Sequence, residues 1–139
     1  MRTYKIAVVD NDREELEFMR DALIKSGLFE VAILAHTADE LLHWMGTVSD
    51  LPDVIVTDLH MPIKDGRELL NIVKNTTAYV LIPVVIVSVS SIPIQAEQCM
   101  ADGAAEVLVK PFSFSEYAPF VTKIYDKVSL AETDTSDVF

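Results

Sequence analysis

The chain alternates short continuous apolar runs with longer stretches in which apolar residues recur every three or four positions. Five runs are rich in β-branched residues and are bounded by polar or turn-forming residues, as is typical of strands buried on both faces. The predicted strands cover residues 6–9, 29–35, 54–58, 83–87 and 107–109. The third is the most sharply bounded, because Pro52 and Pro62 flank it and its apolar part stops at Asp58.

Helical periodicity in the stretches between these runs predicts five helices. The first begins after the polar cluster Asp10, Asn11 and Asp12, in which we expect Asp12 to act as the helix cap, and it ends at Gly27. The other four predicted helices cover residues 38–45, 67–75, 94–101 and 113–128. Strands and helices therefore alternate five times, which predicts a parallel sheet with helices on both faces.

The last predicted helix opens with the capping-box spacing of Ser113 and Glu116. Its apolar stripe, which we expect to be buried, consists of Phe114, Tyr117, Val121, Ile124 and Val128. Pro119 lies in its first turns, where helix is expected on both sides of it. The acidic and polar residues 129–139 predict a disordered tail, so residues 1–128 are predicted to form a single domain.

Charge and composition exclude several classes of partner. The 139 residues include 22 acidic and 11 basic side chains, for a net charge of -11, which disfavours nucleic acid and anionic membrane as direct partners. The longest apolar run, residues 78–87, is too short to span a bilayer and is interrupted by Pro83. Because Cys99 is the single cysteine and the N-terminal residues do not form a signal peptide, we expect a cytoplasmic location.

Polar residues follow four of the five predicted strands: Asp10 with Asn11, then Asp58, Ser88 and Lys110. The carboxyl ends of parallel strands share one edge of the sheet, so these side chains are expected to converge there. Carboxylate and amide oxygens suit Mg²⁺, while a lysine and a hydroxyl can neutralise and bind phosphoryl oxygens. The set predicts phosphoryl transfer with Asp58 as the nucleophile.

These residues and their spacing resemble the receiver domain of two-component response regulators. The resemblance runs from residue 6 to about 128 and rests on Asp10 and Asn11 after the first strand, the segment 52–66, the strand ending at Ser88, and the Lys110-Pro111 step. It implies a flavodoxin-like doubly wound sheet with strand order 2-1-3-4-5. It also implies phosphorylation by a sensor histidine kinase or a histidine phosphotransfer protein.

The same resemblance assigns roles within the site. Asp58 is the implied phosphoacceptor, and Ser88 and Lys110 are implied to bind the phosphoryl group. The implied Mg²⁺ ligands are Asp10, Asn11, Asp58 and the backbone carbonyl of His60. The resemblance also implies that the protein is not an enzyme: it accepts a phosphoryl group and is expected to lose that group slowly by autodephosphorylation.

Three positions depart from the family pattern and are expected to modulate the site. Asn11 replaces the usual second acid, so we expect weak Mg²⁺ binding, with Asp12 as the reserve ligand. Val89 replaces the small residue that usually follows the hydroxyl residue, here Ser88, and is expected to narrow access to Asp58. Val107 replaces the usual aromatic residue three positions before Lys110, so it cannot relay the effect of phosphorylation by moving a ring. We therefore expect a smaller rearrangement on phosphorylation than is usual in the family, carried by the loop of residues 88–93.

Two other functions remain open at this point. The first is a degenerate receiver that binds a partner without phosphorylation, which Asn11, Val89 and Val107 would suit. The second is a haloacid-dehalogenase-like phosphatase, but that class needs an acid two residues after the nucleophile, where this chain has His60, and also a cap domain.

The output of a phosphorylated receiver is expected to be a change of protein surface. With no further module after residue 128, we expect a downstream protein partner, or a second copy of the chain, to bind residues 94–128.

Overall fold

The computed structural model describes residues 2–90 and 92–137, with side chains described as far as residue 132. Its strands are β1 (Tyr4–Val9), β2 (Phe29–Ala35), β3 (Val54–Asp58), β4 (Val84–Ser88) and β5 (Glu106–Val109). Its helices are α1 (Arg13–Ser26), α2 (Ala38–Met45), α3 (Gly66–Lys74), α4 (Pro93–Ala101) and α5 (Phe114–Asp137). The predicted alternation of five strands and five helices is confirmed.

The five strands form one parallel sheet in the order β2-β1-β3-β4-β5. Chain order reverses between β1 and β3, so the carboxyl ends of these two central strands bound the crevice in which open α/β sheets bind ligands. The apolar runs of β3 and β4 follow from this position, because every residue of both strands is buried. The doubly wound fold and its strand order are thus as the resemblance implied.

Each face of the sheet has its own hydrophobic core. Alternate residues of β1 point to opposite sides, so that Ile6 and Val8 pack with α1 and α5, while Ala7 and Val9 pack with α2, α3 and α4. Burial of the central strands β1, β3 and β4 on both faces fixes the register of the sheet. The strand-end side chains are therefore held at defined positions.

The termini of α1 follow the sequence signals. Oδ1 of Asp12 accepts a hydrogen bond from the backbone N–H of Glu14 at 2.9 Å and another from that of Glu15 at 3.4 Å. Gly27 adopts the left-handed conformation with φ of 69° and ends the helix. The expectation that Asp12 caps α1 is confirmed.

Two expectations about the start of α5 need correction. Phe114 was expected in the buried stripe, but it is 75% exposed, because its ring packs edge-on against Phe18 of α1 at the surface instead of entering the core. The other four predicted members of the stripe are buried, and so is Phe120, which was not predicted to belong to it. Neither side-chain bond of the predicted capping box forms: the Glu116 carboxylate accepts from the N–H of Phe112, one residue before Ser113, while Ser113 Oγ lies 3.1 Å from the hydroxyl of Ser115. Helix lies on both sides of Pro119, as predicted.

The end of α5 also differs from the expectation. Residues 129–137 continue the helix, where the sequence predicted a disordered tail. The physical reason is an anchor that composition does not reveal: the carboxylate of Glu132 accepts hydrogen bonds from Arg2 and from the Tyr4 hydroxyl. Residues 138 and 139 of the predicted tail lie outside the described residues. Within residues 2–90 and 92–137, none of the helices has the length and apolarity needed to cross a bilayer.

Candidate functional site

The polar residues at the strand ends are brought together at the carboxyl edge of the sheet. Asp10 directly follows β1, Asp58 ends β3, Ser88 ends β4 and Lys110 directly follows β5. All four are largely withdrawn from water: Asp10, Asp58 and Ser88 are 4–9% exposed, and the side chain of Lys110 is 12% exposed. Four polar groups buried in one place are an arrangement that a core built only for stability would avoid.

Lys110 connects the two acids of the site. Its Nζ donates to Oδ2 of Asp10 at 2.9 Å and lies 3.9 Å from Oδ2 of Asp58. Burial alone would lower the pKa of Lys110, but the hydrogen bond that Lys110 donates to Asp10 and the charges of Asp10 and Asp58 outweigh it and raise that pKa. Lys110 is therefore a fixed cation beside Asp58.

Asp58 has the electrostatic environment expected of a reactive carboxylate. Burial raises its pKa, and the nearby Asp10 carboxylate adds to the rise, while Lys110 and the backbone N–H of His60 act in the opposite direction. The net rise means that the cost of burying the charged Asp58 carboxylate exceeds the stabilisation that this carboxylate receives from Lys110. The site therefore favours a further positive charge.

This excess of negative charge fits a hard divalent cation. Mg²⁺ is usually bound through one or two carboxylates and several waters, and Asp10 and Asp58 supply two carboxylates. Among the described residues no group of three or more His, Cys, Asp or Glu side chains is arranged to hold a metal. Asn11 is exposed in the turn that follows β1, and His60 is exposed just beyond β3.

Asp12 is placed less favourably as a metal ligand than as a cap. Its Oδ1 is used by the first turn of α1, and its own N–H donates to Oδ1 of Asp10 at 2.9 Å. The backbone of Asp12 therefore orients Asp10, while its side chain stabilises the helix. Both contacts tie the start of α1 to the site.

Ser88 is held in a conformation that uses its hydroxyl within the loop after β4. Its Oγ donates to the backbone carbonyl of Ser90 at 2.9 Å. The hydroxyl has a single proton, so it can donate to another oxygen only after it leaves the Ser90 carbonyl. One hydrogen bond thereby couples the loop after β4 to the carboxyl edge of the sheet.

The two valines that replace family residues differ in position. Val89 is 57% exposed at the rim, next to Ser88. Val107 is half-buried and packs against the core on the α4 side of the sheet. Val107 has no ring to move between a buried and an exposed position.

Sequence reasoning missed two residues that the structure adds to the site. Oε2 of Glu15, in the first turn of α1, lies 4.0 Å from Nζ of Lys110. The hydroxyl of Tyr117, on α5, donates to the same oxygen at 3.2 Å. One signal could have revealed Glu15: it lies four residues before the buried Met19, so helical spacing turns it toward the sheet.

Comparison with known proteins agrees with this geometry. A family model described as the response regulator receiver domain matches residues 6–121. The two-component response regulator ORR11 of Oryza sativa subsp. indica is 31% identical over 106 residues, which is 76% of this chain and 68% of the relative. The two-component response regulator ARR15 of Arabidopsis thaliana is 45% identical over 64 residues. That match covers 46% of this chain and spans only 31% of ARR15.

Solved structures show the same fold. The receiver domain of the Francisella response regulator 1452 superposes with a TM-score of 0.73 at 28% identity, covering 90% of this chain and 98% of the other. The phosphorylated cyanobacterial phytochrome response regulator RcpA superposes with a TM-score of 0.79 at 23% identity, covering 88% and 91%. The second likeness is one of fold alone.

Proposed function

We propose, because this chain belongs to the response regulator receiver family, that Asp58 accepts the phosphoryl group through which the domain acts in two-component signalling. The observation that carries the proposal is the placement of Lys110 between Asp10 and the buried end of β3, 3.9 Å from Asp58. The relatives named above are all response regulators, which favours this function over the phosphatase alternative.

The chemistry assigned to Asp58 is a displacement at phosphorus. One carboxylate oxygen attacks the phosphorus of a phosphohistidine on a sensor histidine kinase or phosphotransfer protein. The new P–O bond replaces the P–N bond, and the imidazole leaves with a proton from solvent. Lys110 then neutralises a phosphoryl oxygen, and Ser88 donates its hydroxyl to another after leaving Ser90.

Mg²⁺ is part of the proposal. When bound, it neutralises charge that develops on the phosphoryl oxygens. Asp10 and Asp58 would hold it through their carboxylates, with Asn11 and the backbone carbonyl of His60 completing the protein ligands. Because Asn11 brings no charge, the affinity is expected to be low.

The output surface is assigned to residues 94–128. Exposed apolar side chains occur along α4, β5 and the start of α5: Ile94, Met100, Val109, Phe112 and Phe114. Release of Ser90 by Ser88 alters the loop that leads into α4, and this changes the surface that a downstream protein or a second copy of the chain would bind.

A nucleic-acid partner is not part of the proposal, since the net charge is -11. A cytoplasmic location is part of the proposal, because Cys99 is a free, buried thiol.

The direct test is incubation with a small phosphodonor and Mg²⁺, followed by intact-mass measurement. We expect one added phosphate that is lost at alkaline pH, and no addition in Asp58→Asn. An unmodified mass in folded wild-type protein would reject phosphorylation and leave the degenerate, partner-binding receiver. A phosphate retained by Asp58→Asn would show that the acceptor is another residue.

The output surface is tested by amide hydrogen exchange with and without an acyl-phosphate mimic. Altered exchange is expected in residues 94–128. Changes restricted to Asp58 and its own loop would show that the signal leaves by another face.

A further inference from the structure

Lys110 is shared among three carboxylates. Its Nζ lies 2.9 Å from Asp10, 3.9 Å from Asp58 and 4.0 Å from Glu15. The first two belong to the site already described, but Glu15 reaches Lys110 from α1 and lies outside the phosphoryl chemistry. A cation with three acidic neighbours must give up part of this attraction to bind a phosphoryl oxygen.

Glu15 is itself held by α5. The Tyr117 hydroxyl donates to Oε2 of Glu15 at 3.2 Å, and Oε2 is the same oxygen that faces Lys110. Tyr117 is buried, whereas the side chain of Glu15 is 30% exposed. A hydroxyl that donates to this oxygen disperses its charge and restrains it, which weakens its attraction for Lys110.

We propose that Glu15 is a positioning residue that competes with the phosphoryl group for Lys110, and that Tyr117 sets the strength of this competition. The inference rests on the proposed phosphorylation of Asp58. The chain Lys110–Glu15–Tyr117 joins the phosphoryl site to α1 and α5 without passing through Val107. When Lys110 moves toward a phosphoryl oxygen, Glu15 loses its cation and keeps its bond to Tyr117.

Competition makes an unusual prediction, because removing the two partners should have opposite effects. Glu15→Gln removes the competing charge, so Lys110 is freed and phosphorylation by a small phosphodonor should accelerate. Tyr117→Phe removes the restraining hydroxyl, so Glu15 can close on Lys110 and phosphorylation should slow. Each change is expected to be about two- to fivefold, the size typical of partly exposed ion pairs.

The matched control is Glu14→Gln, which changes the net charge equally in the same helical turn but at an exposed position. The experiment measures the phosphorylation rate and the lifetime of the phosphorylated form for wild type, Glu14→Gln, Glu15→Gln, Tyr117→Phe and the Glu15/Tyr117 double variant. In the double variant, Tyr117→Phe should have no further effect, because its target is absent. Thermal melting verifies that each variant is folded.

The outcomes separate this inference from the proposed function. If folded wild-type protein takes up no phosphate, the proposed function fails and the inference with it. If wild type is phosphorylated but Glu15→Gln behaves as Glu14→Gln, only the inference is overturned. Effects of the same sign in Glu15→Gln and Tyr117→Phe, or full additivity in the double variant, would indicate a merely structural contact and overturn it as well.

Discussion

The two edges of the sheet contain the same kinds of charged side chain, but these side chains are buried at one edge and exposed at the other. At the carboxyl edge, Asp10, Asp58 and Lys110 are nearly buried, and one ammonium faces more negative charge than it balances. At the amino edge, Lys5 pairs with the exposed Asp50 at 2.9 Å, and water solvates both partners. Burial, and not residue type, determines which edge of the sheet carries side chains that are suited to chemical reaction.

The carboxyl edge also contains the tightest backbone geometry. Ile63, in the loop after β3, has a φ of 71°, a conformation that is strained for a β-branched residue. Gly66 packs so closely against the end of β3 that an added Cβ would lie 2.4 Å from the carbonyl oxygen of Asp58. The apolar cores on both faces of the sheet hold this edge in place. Among the described residues, no non-glycine residue at the amino edge has a positive φ.

The largest expected effect is that of Gly66→Ala. The new methyl group would meet the backbone of Asp58 and Leu59, neither of which can rotate away, so α3 or the end of β3 must shift. We expect the free energy of unfolding to fall by about 3 kcal/mol. Urea denaturation measures it.

Gly46→Ala is the matched control. An added Cβ there would lie 3.4 Å from the nearest atom, and the backbone is already in the right-handed helical region. A Gly66→Ala protein as stable as Gly46→Ala would show that the contact between α3 and β3 is looser than the structure indicates.

The second effect concerns the metal. Asn11→Asp adds a negative charge at the exposed position that directly follows Asp10, and we expect Mg²⁺ to bind on the order of tenfold more tightly, together with faster phosphorylation. Isothermal titration of Mg²⁺ tests the affinity. Unchanged affinity in Asn11→Asp, combined with weaker binding in Asp12→Ala, would identify Asp12 as the ligand in place of Asn11.

The third effect is a gain in stability from Asp58→Asn. Burial and the Asp10 carboxylate raise the pKa of Asp58, so its charged form opposes folding, and Lys110 keeps Asp10 as a partner when Asp58 is neutral. In metal-free buffer at neutral pH we expect the variant to be about 1 kcal/mol more stable than wild type.

The stability difference between Asp58→Asn and wild type should depend on pH. Because the folded pKa of Asp58 lies above the unfolded value, the folded state holds the proton more tightly, and this contribution to stability is lost as pH rises from the ordinary carboxyl range through the raised pKa. The advantage of Asp58→Asn over wild type should therefore grow with pH across that window and then level off. An advantage that is independent of pH would contradict the assigned cause.

The carboxyl edge could be predicted from the sequence because strand ends are marked locally. Asp10, Asp58, Ser88 and Lys110 each follow an apolar run, and parallel topology alone makes them converge. Tyr117 could not be assigned in the same way: its helical spacing predicted burial, but its bond to Glu15 depends on how α1 and α5 pack. Phe114 was misassigned for the same reason, since an apolar stripe does not show how the neighbouring helix α1 packs against it.

The smallest expected effect belongs to the amino edge, where Glu132 was assigned to a tail by composition alone. Its carboxylate accepts from Arg2 and Tyr4, but the side chains of Arg2 and Glu132 are 56% and 41% exposed, so water competes for both charges. Glu132→Gln should therefore lower the free energy of unfolding by only about 0.5 kcal/mol, and high salt should reduce the difference further. Urea denaturation of wild type and variant at low and high salt measures both quantities. A loss as large as that expected for Gly66→Ala would mean that the end of α5 is as firmly constrained as the carboxyl edge, and the contrast between the two edges would not hold.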